Sequence, residues 1–299
     1  MQLAMVGLGR MGGNMTERLL RAGHQVVVYD RDPEAVSALG ARGAVGTGDL
    51  AGLAERLDRP AVVWLMIPAG PPVDQVLAEL APRLDRGAVV VDGGNSNFLD
   101  TIRRAAALRE QGIELVDCGT SGGIWGLEEG YCLMLGGSAA AVRHITPLLA
   151  SLSAPDGFAH LGPSGAGHYA KMVHNGIEYG LLQAYAEGYE LLHASSRFSF
   201  DLHQVAALWN RGSVVRSWLN ELAERALARD GTLGGVSDWV ADSGEGRWMI
   251  EEAIEQDVPV PGIALALFAR FRSRQETSFG AKVIAALRRE FGGHEVRKA

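Results

Sequence analysis

Lys171, His174, Asn175 and Glu178 are spaced i, i+3, i+4 and i+7. On a helix that spacing sets all four on one face. The apolar residues between them, Met172, Val173 and Ile177, point elsewhere. A lysine enclosed in a cleft can be shifted toward neutrality and become a usable base, and a glutamate in the same cleft can act as an acid. Seven residues at 1.5 Å each separate the two groups by about 10 Å along the helix, so they can serve opposite ends of one small substrate. His174 and Asn175 can orient its hydroxyls and carboxylate. The plainer alternative is a solvated, ion-paired stripe. Against it, His and Asn are poor helix formers, and Gly165 and Gly167 thin the start of the helix as if another group must come close.

A second constellation lies at the N-terminus. Gly7-Leu-Gly9-Arg-Met-Gly12 follows a strand-like run at residues 2–6 and opens a helical pattern. The first glycine allows a tight turn, the second lets backbone approach a pyrophosphate, and the third lets helix and strand pack closely. The helix N-terminus offers free N–H groups to the phosphates. Asp30 closes the second strand-like run, where a carboxylate receives the ribose hydroxyls and repels a 2′-phosphate. Asp30 therefore favours NAD, while the adjacent Arg31 leaves NADP possible.

These residues require a scaffold that the rest of the chain supplies. Strand-like runs at 2–6, 25–29, 61–67, 88–92, 114–117 and 131–135 alternate with helical patterns at 15–22, 33–41, 73–84 and 99–111. Such alternation implies an α/β, doubly wound, mostly parallel Rossmann-like sheet. After Gly162 only helical patterns follow, at 166–195, 201–209, 213–228, 246–256, 263–274 and 279–291. The expected organisation is a dinucleotide-binding domain over residues 1–163 and an all-α substrate-binding and dimerisation domain with a C-terminal tail over 164–299.

The composition, 299 residues with 47% hydrophobic and 21% charged side chains, is that of a globular chain long enough for two cores. A net charge of −7 argues against a nucleic-acid surface. From Arg270 onward, however, eight Lys/Arg face three Glu, so this end is basic: a solvated helix, or a site for an anion. Cys118 and Cys132 show no metal-ligand spacing and read as buried thiols in a reducing compartment. Met1-Gln2 carries no basic residue, and the apolar run 61–67 stops at Pro68. Neither a leader nor a membrane span is expected, and a cytoplasmic location is.

At Lys-Met-Val-His-Asn-Gly-Ile-Glu-Tyr, residues 171–179, the chain resembles the active-site helix of 6-phosphogluconate dehydrogenases. Asp92-Gly-Gly-Asn95-Ser96, Ser121-Gly122-Gly123, Phe268-Ala-Arg270 and the segment holding Arg288 and His294 resemble further motifs of that family. The resemblance implies an enzyme of the pentose phosphate pathway that converts 6-phosphogluconate to ribulose 5-phosphate and carbon dioxide while reducing NAD(P), without a metal. It implies Lys171 as the base, Glu178 as the acid, and Asn95, Ser121, Gly122, Gly123, His174 and Asn175 around the sugar acid. Tyr179, Arg270, Arg288 and His294 would bind its phosphate. Gly7, Gly9, Arg10, Met11, Gly12, Asp30, Arg31, Ile67 and Asn95 would meet the cofactor. It further implies a homodimer, or a dimer of dimers, whose C-terminal tails reach the partner's site.

The chain departs from better-known members in three ways. It resembles a short form lacking a duplicated helical half. Ser243 and Glu245 replace the Lys and Thr of the long-form phosphate segment, and Asp30 replaces the neutral residue of NADP-dependent members. Two rivals remain at this stage: a β-hydroxyacid dehydrogenase for a small 3-hydroxy acid, which would carry Asn in place of His174 and no acid at Glu178, and a nucleotide-binding regulatory protein without turnover.

Overall fold

A computed structural model describes residues 1–292 and 295–297. In order, its first half comprises β1 (Gln2–Val6), α1 (Arg10–Arg21), β2 (Gln25–Tyr29), α2 (Pro33–Gly40), β3 (Val45–Gly46), α3 (Leu50–Glu55), β4 (Val62–Leu65), α4 (Pro71–Leu80), β5 (Val89–Asp92), α5 (Phe98–Glu110), β6 (Glu114–Ser121), α6 (Gly126–Glu129), β7 (Tyr131–Gly136), α7 (Ala139–Leu152) and β8 (Ser153–Gly162). Helices follow: α8 (Ala166–His193), α9 (Leu202–Trp209), α10 (Trp218–Arg229), α11 (Glu245–Glu255), α12 (Pro261–Ser273) and α13 (Phe279–Gly292).

The strands form one sheet in the order β3-β2-β1-β4-β5-β6-β7-β8. All neighbours are parallel except β6 and β7, which run antiparallel. Strands such as Val62–Leu65 and Val89–Asp92 are buried at every position, as expected of parallel strands covered on both faces. Alternate residues feed two separate cores. Leu3, Met5, Trp64 and Val91 enter one, while Ala4, Val6, Val63 and Val90 enter the other.

The helix starts are set by local chemistry. Asp32, Asn97 and Ser138 accept backbone N–H bonds from the first turns of α2, α5 and α7. The helical pattern at 213–228 is corrected at its start: Ser217 accepts the N–H of Asn220, so α10 begins at Trp218 and residues 213–217 form the turn before it. The strand at 114–117 runs on to Ser121, because β7 pairs with it as far as Cys132.

The two cysteines do not share an environment. Cys118 is fully buried, and burial pushes its thiol up to about 12. Cys132 is exposed, which corrects the expectation of two buried thiols. On β7 the side chains of Tyr131, Leu133 and Leu135 enter the core, and Cys132 points to the opposite face. No helix among the described residues is long and apolar enough to cross a membrane.

By internal packing the chain forms two compact units, Met1–Asn175 and residues 176–299. The division falls inside α8 because the first turns of that helix lie directly on the sheet. A Cβ on Gly167 would stand 2.3 Å from the Met134 carbonyl oxygen, and one on Gly119 would stand 2.4 Å from the Lys171 Cβ. In the second unit Tyr179, Ala266 and Leu267 form a small core. Asp242 pairs with Arg247 at 2.8 Å and Arg274 at 2.8 Å, and the guanidinium of Arg247 leads in holding its carboxyl down at about 2.

Candidate active site

In an open parallel sheet, ligands bind beyond the carboxyl ends of the strands, where the strand order reverses. Here the reversal lies between β1 and β4. A groove of about 580 Å³ opens there, lined by Gly7, Gly9, Arg10, Met11, Gly12, Asp30, Arg31 and Ile67, and also by Gln75 and Glu79 of α4. Gly7 has φ +91°, and a Cβ on it would meet the Met66 carbonyl oxygen at 2.5 Å. Gly12 packs so closely that a Cβ would lie 2.0 Å from the Gly7 oxygen. Around Gly9, by contrast, a Cβ would meet nothing within 4 Å. The start of α1 has no side-chain cap, so its N–H groups are available to a phosphate. Asp30 is anchored by Leu8 N–H at 2.6 Å and Asp32 N–H at 2.9 Å. The residues present therefore fit a dinucleotide, with Asp30 at the end of β2 where a ribose would be received.

Asn95 stands exposed in the turn after β5. Ser121 ends β6, and Gly122 and Gly123 both have positive φ, at 121° and 54°. The segment of α8 before the unit division then brings up the polar face. Lys171 and Asn175 are buried, and His174 is half-buried. Ser121 Oγ lies 3.3 Å from His174 Nε2, and His174 Nδ1 lies 3.1 Å from Asn175 Oδ1. A neutral imidazole protonated at Nδ1 satisfies both, donating to Asn175 and accepting from Ser121. Thus Ser121, His174 and Asn175 are linked into one polar run beside Lys171.

Sequence reasoning missed the support beneath this run. Asp117, fully buried on β6, accepts the N–H of Gly165 at 2.7 Å and of His168 at 2.9 Å, capping α8 from the sheet. His168 Nδ1 lies 2.7 Å from Thr101 Oγ1, which donates to the Asn97 carbonyl. Asp117 lay in the run read as a strand, but only the fold brings it under a helix so distant in sequence.

Glu178 continues the same helix, half-buried, two turns beyond Lys171. In the second unit, the ring of buried Tyr179 carries the Arg270 guanidinium 3.4 Å from its centroid, and its hydroxyl accepts the N–H of Ser243 at 3.3 Å. Arg270 also donates to the Ala241 carbonyl at 3.0 Å. Glu245 is buried in the first turn of α11. Arg288 is exposed on α13, and His294 lies outside the described residues.

Residues 2–164 match the family model of the NAD binding domain of 6-phosphogluconate dehydrogenase. Residues 167–297 match that of the C-terminal domain of the same enzyme. The chain belongs to the 6-phosphogluconate dehydrogenase family.

Within the family it is 49% identical, over its whole length and 99% of the relative's, to an NAD(+)-dependent, decarboxylating 6-phosphogluconate dehydrogenase of Haloferax volcanii. It is 43% identical, over the whole of both chains, to a putative 6-phosphogluconate dehydrogenase of Bacillus subtilis. A solved 6-phosphogluconate dehydrogenase of Plasmodium falciparum superposes with a TM-score of 0.85 at 28% identity, covering 100% of this chain and 66% of the other. A 3-hydroxyisobutyrate dehydrogenase of Mycobacterium tuberculosis, at 22% identity and a TM-score of 0.75, shares the fold.

Proposed function

We propose that this chain oxidises and decarboxylates 6-phosphogluconate to ribulose 5-phosphate and carbon dioxide, using NAD. The observation that carries the reading is a buried lysine, Lys171, on the helix that also presents His174, Asn175 and, two turns on, Glu178. Residues 1–163 would hold the dinucleotide and 164–299 the sugar acid, in a cytoplasmic enzyme.

Bound NAD supplies the acceptor for the hydride leaving C3. Neutral Lys171 takes the C3 hydroxyl proton, leaving a keto group β to the carboxylate. As the ammonium, it then donates a hydrogen bond to that keto oxygen, where the electron pair collects when the carbon–carbon bond to the departing carbon dioxide breaks. Glu178 delivers a proton to the carbon that becomes C1 of ribulose 5-phosphate. One proton is taken and one given, so the reaction is proton-neutral overall; it leaves Lys171 as the ammonium and Glu178 as the carboxylate, and a proton passed from the first to the second through solvent resets the site. Asn95, Ser121, Gly122, Gly123, His174 and Asn175 hold the hydroxyls and carboxylate. Tyr179, Arg270, Arg288 and His294 hold the phosphate, a role suited to guanidinium groups. The experiment that tests the reading is turnover of 6-phosphogluconate with NAD, followed through both reduced cofactor and carbon dioxide.

NAD is preferred because Asp30 receives the ribose hydroxyls and repels a 2′-phosphate; Asp32 and Glu34 add negative charge beside it and Arg31 offsets only part. Asp30→Ser is expected to shift the ratio of kcat/KM for NADP over NAD upward by about tenfold or more, equivalent to ~1.4 kcal/mol. A wild-type enzyme with the higher kcat/KM for NADP overturns this.

The site is also proposed to be shared in a homodimer. α13 buries none of its residues, and Phe279, Ile284, Leu287 and Phe291 are exposed along it. Deleting residues 287–299 is expected to raise the KM for 6-phosphogluconate steeply and leave NAD affinity nearly unchanged. Mixing the truncated chain with full-length Lys171→Met protein then restores activity, because one subunit supplies the lysine and the other the tail. No recovery after confirmed subunit exchange rules out a shared tail.

A further inference from the structure

α5 buries Ala105 and Leu108 against the sheet, yet its buried face also carries Arg104. A buried guanidinium is expensive unless its donors are matched, and an apolar side chain of similar volume often serves stability as well or better. The donors of Arg104 reach the first turn of α4, the turn before it and the end of β5. Nε donates to Asp74 Oδ1 at 2.9 Å, and Nη2 donates to Asp74 Oδ2 at 2.9 Å and to the Gly70 carbonyl at 2.9 Å. Nη1 faces Asp92 Oδ2 at 3.8 Å and has no hydrogen-bond partner among the described residues.

Asp92 is itself fully buried at the end of β5. Its Oδ2 accepts the Ser96 hydroxyl at 2.7 Å and its Oδ1 accepts the Gly94 N–H at 3.2 Å. The turn that carries Asn95 is thus wound around the Asp92 carboxylate. The same turn is pressed from below, since a Cβ on Gly93 would stand 2.3 Å from the Trp64 indole nitrogen. Arg104 provides Asp92 with its counter-charge and, through Gly70, grips the turn after β4. These two turns follow the carboxyl ends of β4 and β5, the edge of an open parallel sheet at which ligands bind. The proton chemistry uses neither Arg104 nor Asp92.

We propose that Arg104 is a positioning residue for hydride transfer: its buried guanidinium ties the Gly70 turn to the Asp92–Ser96 turn and so holds Asn95 in register with the nicotinamide and C3 of the substrate. This rests on the proposed oxidation of 6-phosphogluconate by NAD. Without Arg104 the Asp92 carboxylate loses its counter-ion and the turn around it relaxes. Displacement of a reacting pair by about 1 Å costs on the order of a hundredfold in rate.

The test compares Arg104→Met and Arg104→Lys with wild type. In Arg104→Met, kcat is expected to fall by about tenfold to a hundredfold. The primary isotope effect with substrate deuterated at C3 grows, while the Kd of NADH stays near the wild-type value. Arg104→Lys restores little, because one ammonium cannot reproduce the bidentate fork that also spans to Gly70. A cofactor-free readout accompanies these. In Arg104→Met protein without NAD, the amides of Gly93 and Gly94 exchange faster with solvent, while Val89–Val91 keep their protection. Should Arg104→Met fail to fold, Arg104→Lys, which keeps the charge, carries the same kinetic and exchange measurements. A folded variant with wild-type kcat and isotope effect overturns the proposal. So does loss of protection spread evenly through β5, the mark of a purely structural role. Wild-type protein that fails to reduce NAD with 6-phosphogluconate defeats the functional reading instead, and the exchange data still judge the tie between the two turns.

Discussion

Replacing Lys171 by Met is expected to remove nearly all turnover, by about a hundredfold to ten-thousandfold, the range for loss of a positioned general base. Methionine keeps much of the aliphatic length of lysine, so packing at the close approach between Gly119 and the Lys171 Cβ is retained and the loss falls on the amine. The lysine has two tasks in the proposed reaction, accepting the hydroxyl proton and supporting the oxygen that gathers charge as carbon dioxide leaves. Both steps fail together. Lys171 does not line the groove formed by Gly7, Gly9, Gly12 and Asp30, so the Kd of NADH should be unchanged. Steady-state rates and NADH fluorescence titration read the two quantities separately. A Lys171→Met enzyme keeping more than about a tenth of the wild-type rate is incompatible with a general-base role.

Glu178→Gln should lower overall turnover by about a hundredfold or more, but at a different step. Glutamine preserves size and hydrogen bonding and removes only the transferable proton. Hydride transfer precedes protonation of the enediol, so a single turnover should still produce reduced cofactor while ribulose 5-phosphate lags behind it. Lys171→Met should show neither. Rapid-quench analysis of sugar products beside absorbance of NADH resolves the order. Unchanged kcat in Glu178→Gln would return this half-buried carboxylate to an ordinary place on the helix.

Much of the sheet was legible because parallel strands buried on both faces leave continuous apolar runs, as at Val62–Leu65 and Val89–Asp92. β8 was not, since most of Ser153–Gly162 is not buried and Pro155, Asp156 and Gly157 interrupt it. β3 has two residues, both exposed, and no pattern to detect. α7 escaped because Pro147 lies inside it. The proline withholds a hydrogen bond from the carbonyl of Arg143, which sits on the exposed side where water can replace it. At the site, residues close in sequence were legible from spacing: the glycine loop, and the stripe from Lys171 to Glu178. What spacing could not reveal are groups joined only by the fold, such as Asp117 capping α8 and Arg104 reaching from Gly70 to Asp92. Most of their partners lie tens of residues away, and single buried charges leave no periodic trace.

The most direct test is stoichiometric. Purified enzyme is given 6-phosphogluconate and NAD, and NADH, carbon dioxide and ribulose 5-phosphate are measured in the same reaction, with small 3-hydroxy acids as parallel substrates. The three products should form in equal amounts from 6-phosphogluconate, with far slower reduction of NAD by the small acids. Reduction of NAD without release of carbon dioxide, or turnover confined to the small 3-hydroxy acids, would contradict the assignment of Lys171 and Glu178 to an oxidative decarboxylation.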